Sequence, residues 1–215
     1  METEKTKPFN RPHEPFPKVS ESRFNRAFSE AADGLKELSK NATLLAALAK
    51  MTDVIVQAYQ RGGCLYLIGN GGSAADAQHI AAELMGKLGR NRSPIKAFAL
   101  TTDTSFLTAC GNDFGYEYIF SRQVEGAMNK EDVLLALSTS GMSPSIVKGL
   151  EAARSKRCST LLLTGPNKAS DCVQLSDIVA HVSGKNSSEI QQGHLVIYHT
   201  LCELIEDALV FNRVN

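Results

Sequence analysis

Leu65-Tyr66-Leu67-Ile68-Gly69-Asn70-Gly71-Gly72-Ser73-Ala74-Ala75-Asp76-Ala77-Gln78-His79-Ile80-Ala81-Ala82-Glu83 reads as a strand, a turn and a helix in immediate succession. Leu65 to Ile68 has the length and apolar content of a buried strand. The Gly-Asn-Gly-Gly-Ser turn then opens an Ala-rich helical pattern. A helix start reached through glycines presents backbone N–H groups to an anion, and glycine lets the chain approach the ligand without a Cβ penalty. Ser73 is expected to cap the helix and to offer its hydroxyl to the same anion. His79 and Glu83, four residues apart, share a helix face. One element thus joins a phosphate cradle to two groups that can move protons or bind a metal. The turn carries neither the G-x-G-x-x-G dinucleotide fingerprint nor a Walker lysine, so nucleotide binding is not its reading. A lone His–Glu pair on a helix is usually a solvated surface pair, and its reading as a site depends on partners from elsewhere.

Composition narrows the class. A chain of 215 residues can bury a core and defaults to one domain. Lys+Arg and Asp+Glu both number 23, and this zero balance argues against a nucleic-acid footprint or a polybasic membrane patch. The charged start, Met1 to Pro8, lacks the apolar run of a signal peptide, and no segment is expected to reach the ~18 apolar residues that span a bilayer. Cys64, Cys110, Cys158, Cys172 and Cys202 contain no C-x-x-C pair and lie mostly in apolar settings, as core residues of a reducing cytoplasm do.

The rest of the chain alternates helix and strand. Residues 1–20 hold Pro8, Pro12, Pro15 and Pro17 and form an arm, either disordered or laid across a neighbouring subunit. Residues 21–215 form a single domain. An amphipathic helix fits Ser20 to about Lys40, and a second, capped by Asn41 or Thr43, runs to Arg61 and stops at Gly62-Gly63. Their apolar stripes suit either a subunit interface or one face of a sheet. Strands are expected at Ile95–Leu100, Val133–Leu137, Thr160–Leu163 and Ile178–Val182. Helices are expected at Phe106–Cys110, Tyr118–Met128, Ile146–Ala153 and from about Ser188 to Phe211, and Gly111–Gly115 is expected to be a loop. This order is that of an α/β doubly wound parallel sheet flanked by helices, with two helices ahead of it and a long one behind. Ligands of such sheets sit beyond the carboxyl ends of the strands.

A second strand–turn–helix lies at Ser138-Thr139-Ser140-Gly141-Met142-Ser143-Pro144-Ser145. Capping needs one hydroxyl here, and the surplus points to phosphate. On the last helix Gln191, His194 and His199 interrupt an apolar pattern. At 100° per residue Gln191 and His199 lie roughly 80° apart, with His194 on the other flank.

Gly69-Asn-Gly-Gly-Ser73, His79-x3-Glu83, Gly111-Asn-Asp-Phe-Gly115, Ser138-Thr-Ser-Gly141 with Ser143, and Gln191-x7-His199, in that order, resemble the sugar isomerase (SIS) domain family, and within it the phosphoheptose isomerases. The resemblance spans residues 20 to about 210. It implies an SIS fold and conversion of D-sedoheptulose 7-phosphate to D-glycero-D-manno-heptose 7-phosphate. It implies that Ser73, Ser138, Thr139, Ser140 and Ser143 hold the phosphate. Asn70, Gly71, Gly72, Asn112, Asp113 and Gln191 would contact the rest of the sugar. Glu83 would be the base between C1 and C2, and His199 its acid–base partner. Zinc bound through His79, Glu83, Gln191 and His199 is implied for some members, as is a homotetramer whose sites draw on neighbouring subunits. Direct acid–base chemistry and a zinc-polarised carbonyl both suit this residue set.

The sequence departs from the family's usual pattern at Ser188, where many members carry Asp. The departure bears on substrate detail, not on reaction class. The rival reading is a non-catalytic SIS domain that binds a sugar phosphate or the replication initiator protein. Such a module needs the phosphate turns but no acid–base pair, and this chain has both Glu83 and His199.

Overall fold

The computed structural model describes residues 20–211, so the expected Pro-rich arm, Ser20 apart, lies outside the described residues. Two helices come first. In α1 (Glu21–Leu38) only Leu38 is buried, and Phe24 and Phe28 are exposed. The Asn41 carbonyl side chain accepts from the Leu44 amide at 3.1 Å and caps α2 (Ala42–Gln60), which buries Leu44, Met51, Ile55 and Ala58. Helix α2, 19 residues at a mean hydropathy of 1.2, has the length and composition of a membrane span, contrary to the sequence expectation. Its alanines raise the mean around Lys50 and Asp53, and its buried stripe packs on the sheet.

Five strands follow among the described residues: β1 (Leu65–Gly69), β2 (Ala97–Ala99), β3 (Val133–Ser138), β4 (Ser159–Thr164) and β5 (Ile178–His181), with the short helix α7 (Asp171–Gln174) between the last two. All pair in parallel in the order β2-β1-β3-β4-β5. Alternation along the strands divides the core in two. Leu65, Leu67, Leu135 and Leu137 face α2, α3 (Gly72–Met85) and α8 (Ser187–Glu206). Ile68, Leu134, Ala136 and Leu162 face α5 (Ser121–Ala127) and α6 (Pro144–Ser155). A sheet buried on both faces explains why these strands read as continuous apolar runs.

Three local expectations are corrected. Strand β2 is shorter than Ile95–Leu100, because an edge strand has one neighbour to pair with. Helix α4 (Thr104–Asp113), capped by Asp103 through Phe106 N at 2.9 Å, takes in Gly111 to Asp113, which were expected to be loop. Ser73 is not a cap: Gly71, at φ 56°, holds that position, and Ser73 lies buried inside the first turn of α3. A positive φ there suits glycine and moves the helix start two residues earlier. The expected last helix is α8 up to Glu206 and continues as a π-helical turn, Asp207–Phe211.

Candidate active site

In the order 2-1-3-4-5 the connections diverge between β1 and β3, and the crevice at that switch point is the ligand position of doubly wound sheets. Both turns singled out in the sequence meet there, since Gly69 pairs with Leu137 at the carboxyl ends of the two strands. The turns are tied together. Asn70 Nδ2 donates to Ser145 Oγ at 2.9 Å, and Tyr116 Oη donates to Asn70 Oδ1 at 3.0 Å. The first turn opens α3, whose leading amides have no carbonyl four residues back within the helix. In the second turn, Ser138 Oγ accepts from Gly141 N (3.1 Å) and Ser140 Oγ accepts from Met142 N (3.2 Å). Each of these two hydroxyls keeps its own proton to donate, which is what an anion requires. Thr139 Oγ1 shares a 3.1 Å bond with Ser187 Oγ at the start of α8, and Ser143 is the N-cap of α6. Asn112 and Asp113 are exposed, and the Asn112 amide donates to the Asp113 carboxylate at 2.7 Å. From that segment it is Tyr116 that reaches the switch point.

The second half of the site is the seam between α3 and α8. Gly72, Asp76, His79 and Glu83 recur at spacings of four, three and four along one stripe of α3. His79 Nε2 lies 3.0 Å from Glu83 Oε1. The His199 ring packs edge-on against His79, with centroids 5.0 Å apart at 81°. One ligand-type atom each from His79, Glu83 and His199 lies within 4.8 Å of the others. Glu83 Oε2 is buried without a hydrogen-bond partner among the described residues. Two imidazole nitrogens and the Glu83 carboxylate, whose Oε2 is that orphaned oxygen, fit a zinc ion that keeps an open coordination position. Gln191 stands apart from this trio: a Cβ on Gly72 would overlap its amide, so it lies at the start of α3, seven residues or about 10 Å of helix axis before His79. His199 also lines a cleft of about 340 Å³ with Arg90 and Glu203.

Two residues of the seam were missed from sequence. Tyr198 Oη is 2.9 Å from His79 Nδ1 and 3.5 Å from Asp76 Oδ1. Burial, then the Asp76 charge, pushes the Tyr198 hydroxyl up to about 12. Desolvation raises the Asp76 carboxyl, against lowering by the Tyr198 bond and the His79 ring. Their spacing was a signal: Asp76 stands seven residues before Glu83, and Tyr198 seven after Gln191, each on the same helix line. His194, the flanking histidine, is fully buried; the Thr164 backbone approaches it, yet neither ring nitrogen makes a well-formed hydrogen bond among the described residues. Desolvation lowers that imidazole to about 4.

Known proteins resemble this chain over most of its length. Residues 28–165 match the SIS domain model. A phosphoheptose isomerase of Burkholderia pseudomallei (strain 1710b) is 42% identical over 183 residues, 85% of this chain and 92% of the relative. One of Rhodospirillum rubrum is 47% identical over 163 residues, 76% of this chain and 86% of the relative. Among solved structures, the phosphoheptose isomerase of Neisseria gonorrhoeae superposes with a TM-score of 0.80 at 34% identity, covering 86% of this chain and 98% of that one. A sheet whose switch point carries both hydroxyl- and glycine-rich turns, and relatives alike over nearly their whole length, lead to one assignment: the chain belongs to the SIS-domain family of phosphoheptose isomerases.

Proposed function

We propose that the chain is an aldose–ketose isomerase that interconverts D-sedoheptulose 7-phosphate and D-glycero-D-manno-heptose 7-phosphate. The observation that carries the reading is the His79–Glu83–His199 cluster, all ligand atoms within 4.8 Å, on the helix that starts at the switch-point turns. Moving a carbonyl between C1 and C2 needs a base at the C–H and an acid at the carbonyl oxygen. Glu83 is the base: its side chain is 15% exposed, and Oε2 has lone pairs that no hydrogen bond from the described residues occupies. His199, facing the cleft, is the acid–base partner at the oxygen. Ser73, Ser138, Thr139, Ser140 and Ser143 take the phosphate. Asn70, Gly71, Gly72, Asn112, Asp113 and Gln191 take the sugar, with Asn70 held by Ser145 and Tyr116. A non-catalytic sugar-phosphate binder has no use for a half-buried carboxylate grouped with two imidazoles.

The metal implied by the resemblance is zinc. His79, Glu83 and His199 would hold it, and Gln191, placed against Gly72, would contact substrate in this arrangement. Zinc held there would supply Lewis-acid polarisation of the substrate carbonyl. We further read residues 21–215 as one SIS domain in a cytoplasmic homotetramer with shared sites. An apolar cleft of about 370 Å³ between α1, α2 and α8, lined by Leu35, Leu45, Leu48, Val196 and Leu204, supports burial against other copies. Five free buried cysteines suit a reducing compartment.

The test is turnover of sedoheptulose 7-phosphate by the purified protein, before and after chelation and with zinc added back. Turnover that survives chelation assigns the chemistry to Glu83 and His199 directly. Loss restored by zinc assigns a metal site. No turnover under any metal condition overturns the proposal.

A further inference from the structure

We propose that Asp76 and Tyr198 are positioning residues for this site: the Tyr198 hydroxyl, backed by Asp76, engages Nδ1 of His79 and so commits Nε2 to Glu83. The inference rests on the isomerase reading for its catalytic consequence, but not for its geometry.

An imidazole has two nitrogens, and its use depends on which carries the proton; the bond made by one nitrogen decides the state of the other. Here His79 Nε2 faces Glu83 Oε1 at 3.0 Å, and Nδ1 faces Tyr198 Oη at 2.9 Å. Without a cation between His79 and Glu83, a carboxylate at Nε2 requires a proton on that nitrogen. Nδ1 is then the acceptor, and the tyrosine hydroxyl donates to it. With a cation on Nε2 the proton moves to Nδ1 and is accepted by Tyr198 Oη, whose own proton turns to Asp76 Oδ1, 3.5 Å away. A hydroxyl is the side-chain group that serves both arrangements, since it donates one proton and accepts two. The neighbouring carboxylate gives the hydroxyl proton a place to go in the second case, as the outer partners of metal-bound histidines do.

The surroundings hold the device still. Tyr198 is 1% exposed, so water cannot replace either partner of its hydroxyl. Its ring packs edge-on against both histidines, 5.3 Å from His79 and 4.9 Å from His199. Among the described residues Asp76 Oδ2 is buried without a partner, which leaves Oδ1 and its tyrosine as that carboxylate's bonded side.

The test combines imidazole nitrogen chemical shifts, at about pH 8 where an ordinary histidine is neutral, with steady-state kinetics of the full chain. Chelated wild-type protein and Tyr198→Phe are compared, with the His79 signal assigned by its loss in His79→Gln. Wild type is expected to show His79 as a single tautomer protonated at Nε2. Tyr198→Phe, which removes only one oxygen, is expected to show both tautomers, with kcat down about 10- to 100-fold and KM within about twofold. Asp76→Asn is expected to leave the chelated tautomer as in wild type and to weaken zinc binding about 10-fold or more, measured by competition with a chromogenic chelator. An unchanged His79 tautomer in Tyr198→Phe overturns the proposal whatever the rate does. A changed tautomer with unchanged kcat overturns its catalytic part. If wild type turns over no heptose phosphate, the isomerase reading fails while the tautomer and chelator measurements still decide the role of the pair.

Discussion

Arg92 ties the end of the candidate active-site helix to the end of α8, and its loss is a measurable perturbation. Its side chain is fully buried and donates through Nε to Glu206 Oε2 at 2.7 Å. The other guanidinium nitrogens donate to the carbonyl oxygens of Glu83 and Leu84, each at 2.8 Å. Those carbonyls belong to the last turn of α3, where a helix cannot satisfy them internally. Arg92→Met removes these bonds and leaves Glu206, 2% exposed, with the half-exposed Arg90 as its remaining cation. Removing one partner of a buried ion pair costs about 3–5 kcal/mol, and the remaining Arg90 contact places this case at about 3 kcal/mol. In a domain of this size that is a fall in Tm of roughly 6–12 °C. The assay is urea and thermal unfolding at fixed protein concentration, since assembly shifts apparent stability. Arg92→Met/Glu206→Gln should recover a large part of the loss, because the double variant buries no unpaired charge. A loss below about 1 kcal/mol, the size of an exposed pair, refutes the reasoning, as does a double variant less stable than the single one.

Three further outcomes are expected. Glu83→Gln keeps the shape of the side chain and removes the base, so isomerase kcat should fall by about 10²- to 10⁴-fold with the unfolding midpoint little changed. Gly72→Ala drives a methyl into the Gln191 amide, the movable end of a side chain, at a position of ordinary helical backbone. Stability should hold or rise by up to about 1 kcal/mol, while KM for the sugar phosphate rises; unchanged KM would show that Gln191 does not contact substrate. His194 is neutral in the fold and lowered to about 4, so the unfolded chain binds more protons between that value and about 6.5. Stability from its neutral form is therefore complete above about pH 6.5 and lost as pH falls toward about 4, by about 3 kcal/mol. An imidazole signal from His194 that titrates near pH 6.5 in the folded protein would count against this.

Much of the fold was legible in local pattern. Apolar runs bounded by turns marked all five strands, most clearly β1, β3 and β4, because strands buried on both faces need no polar side. Asn41 and Gly62 marked the ends of α2, because capping and positive φ are requirements of one or two residues. The errors share a cause. Ser73 looked like a cap by type, but the backbone at Gly71 decides where α3 starts. Gly111 to Asp113 looked like loop by composition, yet the α4 helix runs on through Asp113.

The candidate site divides along the same line. Sequence alone determined that His79 and Glu83 meet, since four residues of helix bring them to one face, and that two anion-suited turns follow strands. It did not determine that the turns adjoin, which follows from β1 lying beside β3, or that His199 stands against His79 across 120 residues of chain. The packing of α3 on α8 alone assigned Asp76 and Tyr198 to the His79 imidazole, and placed Gln191 at Gly72 instead of with the trio. Local spacing fixes geometry only within an element, through the helical and strand repeats. Contacts between elements depend on how whole faces bury one another, and that is a property of the assembled sheet.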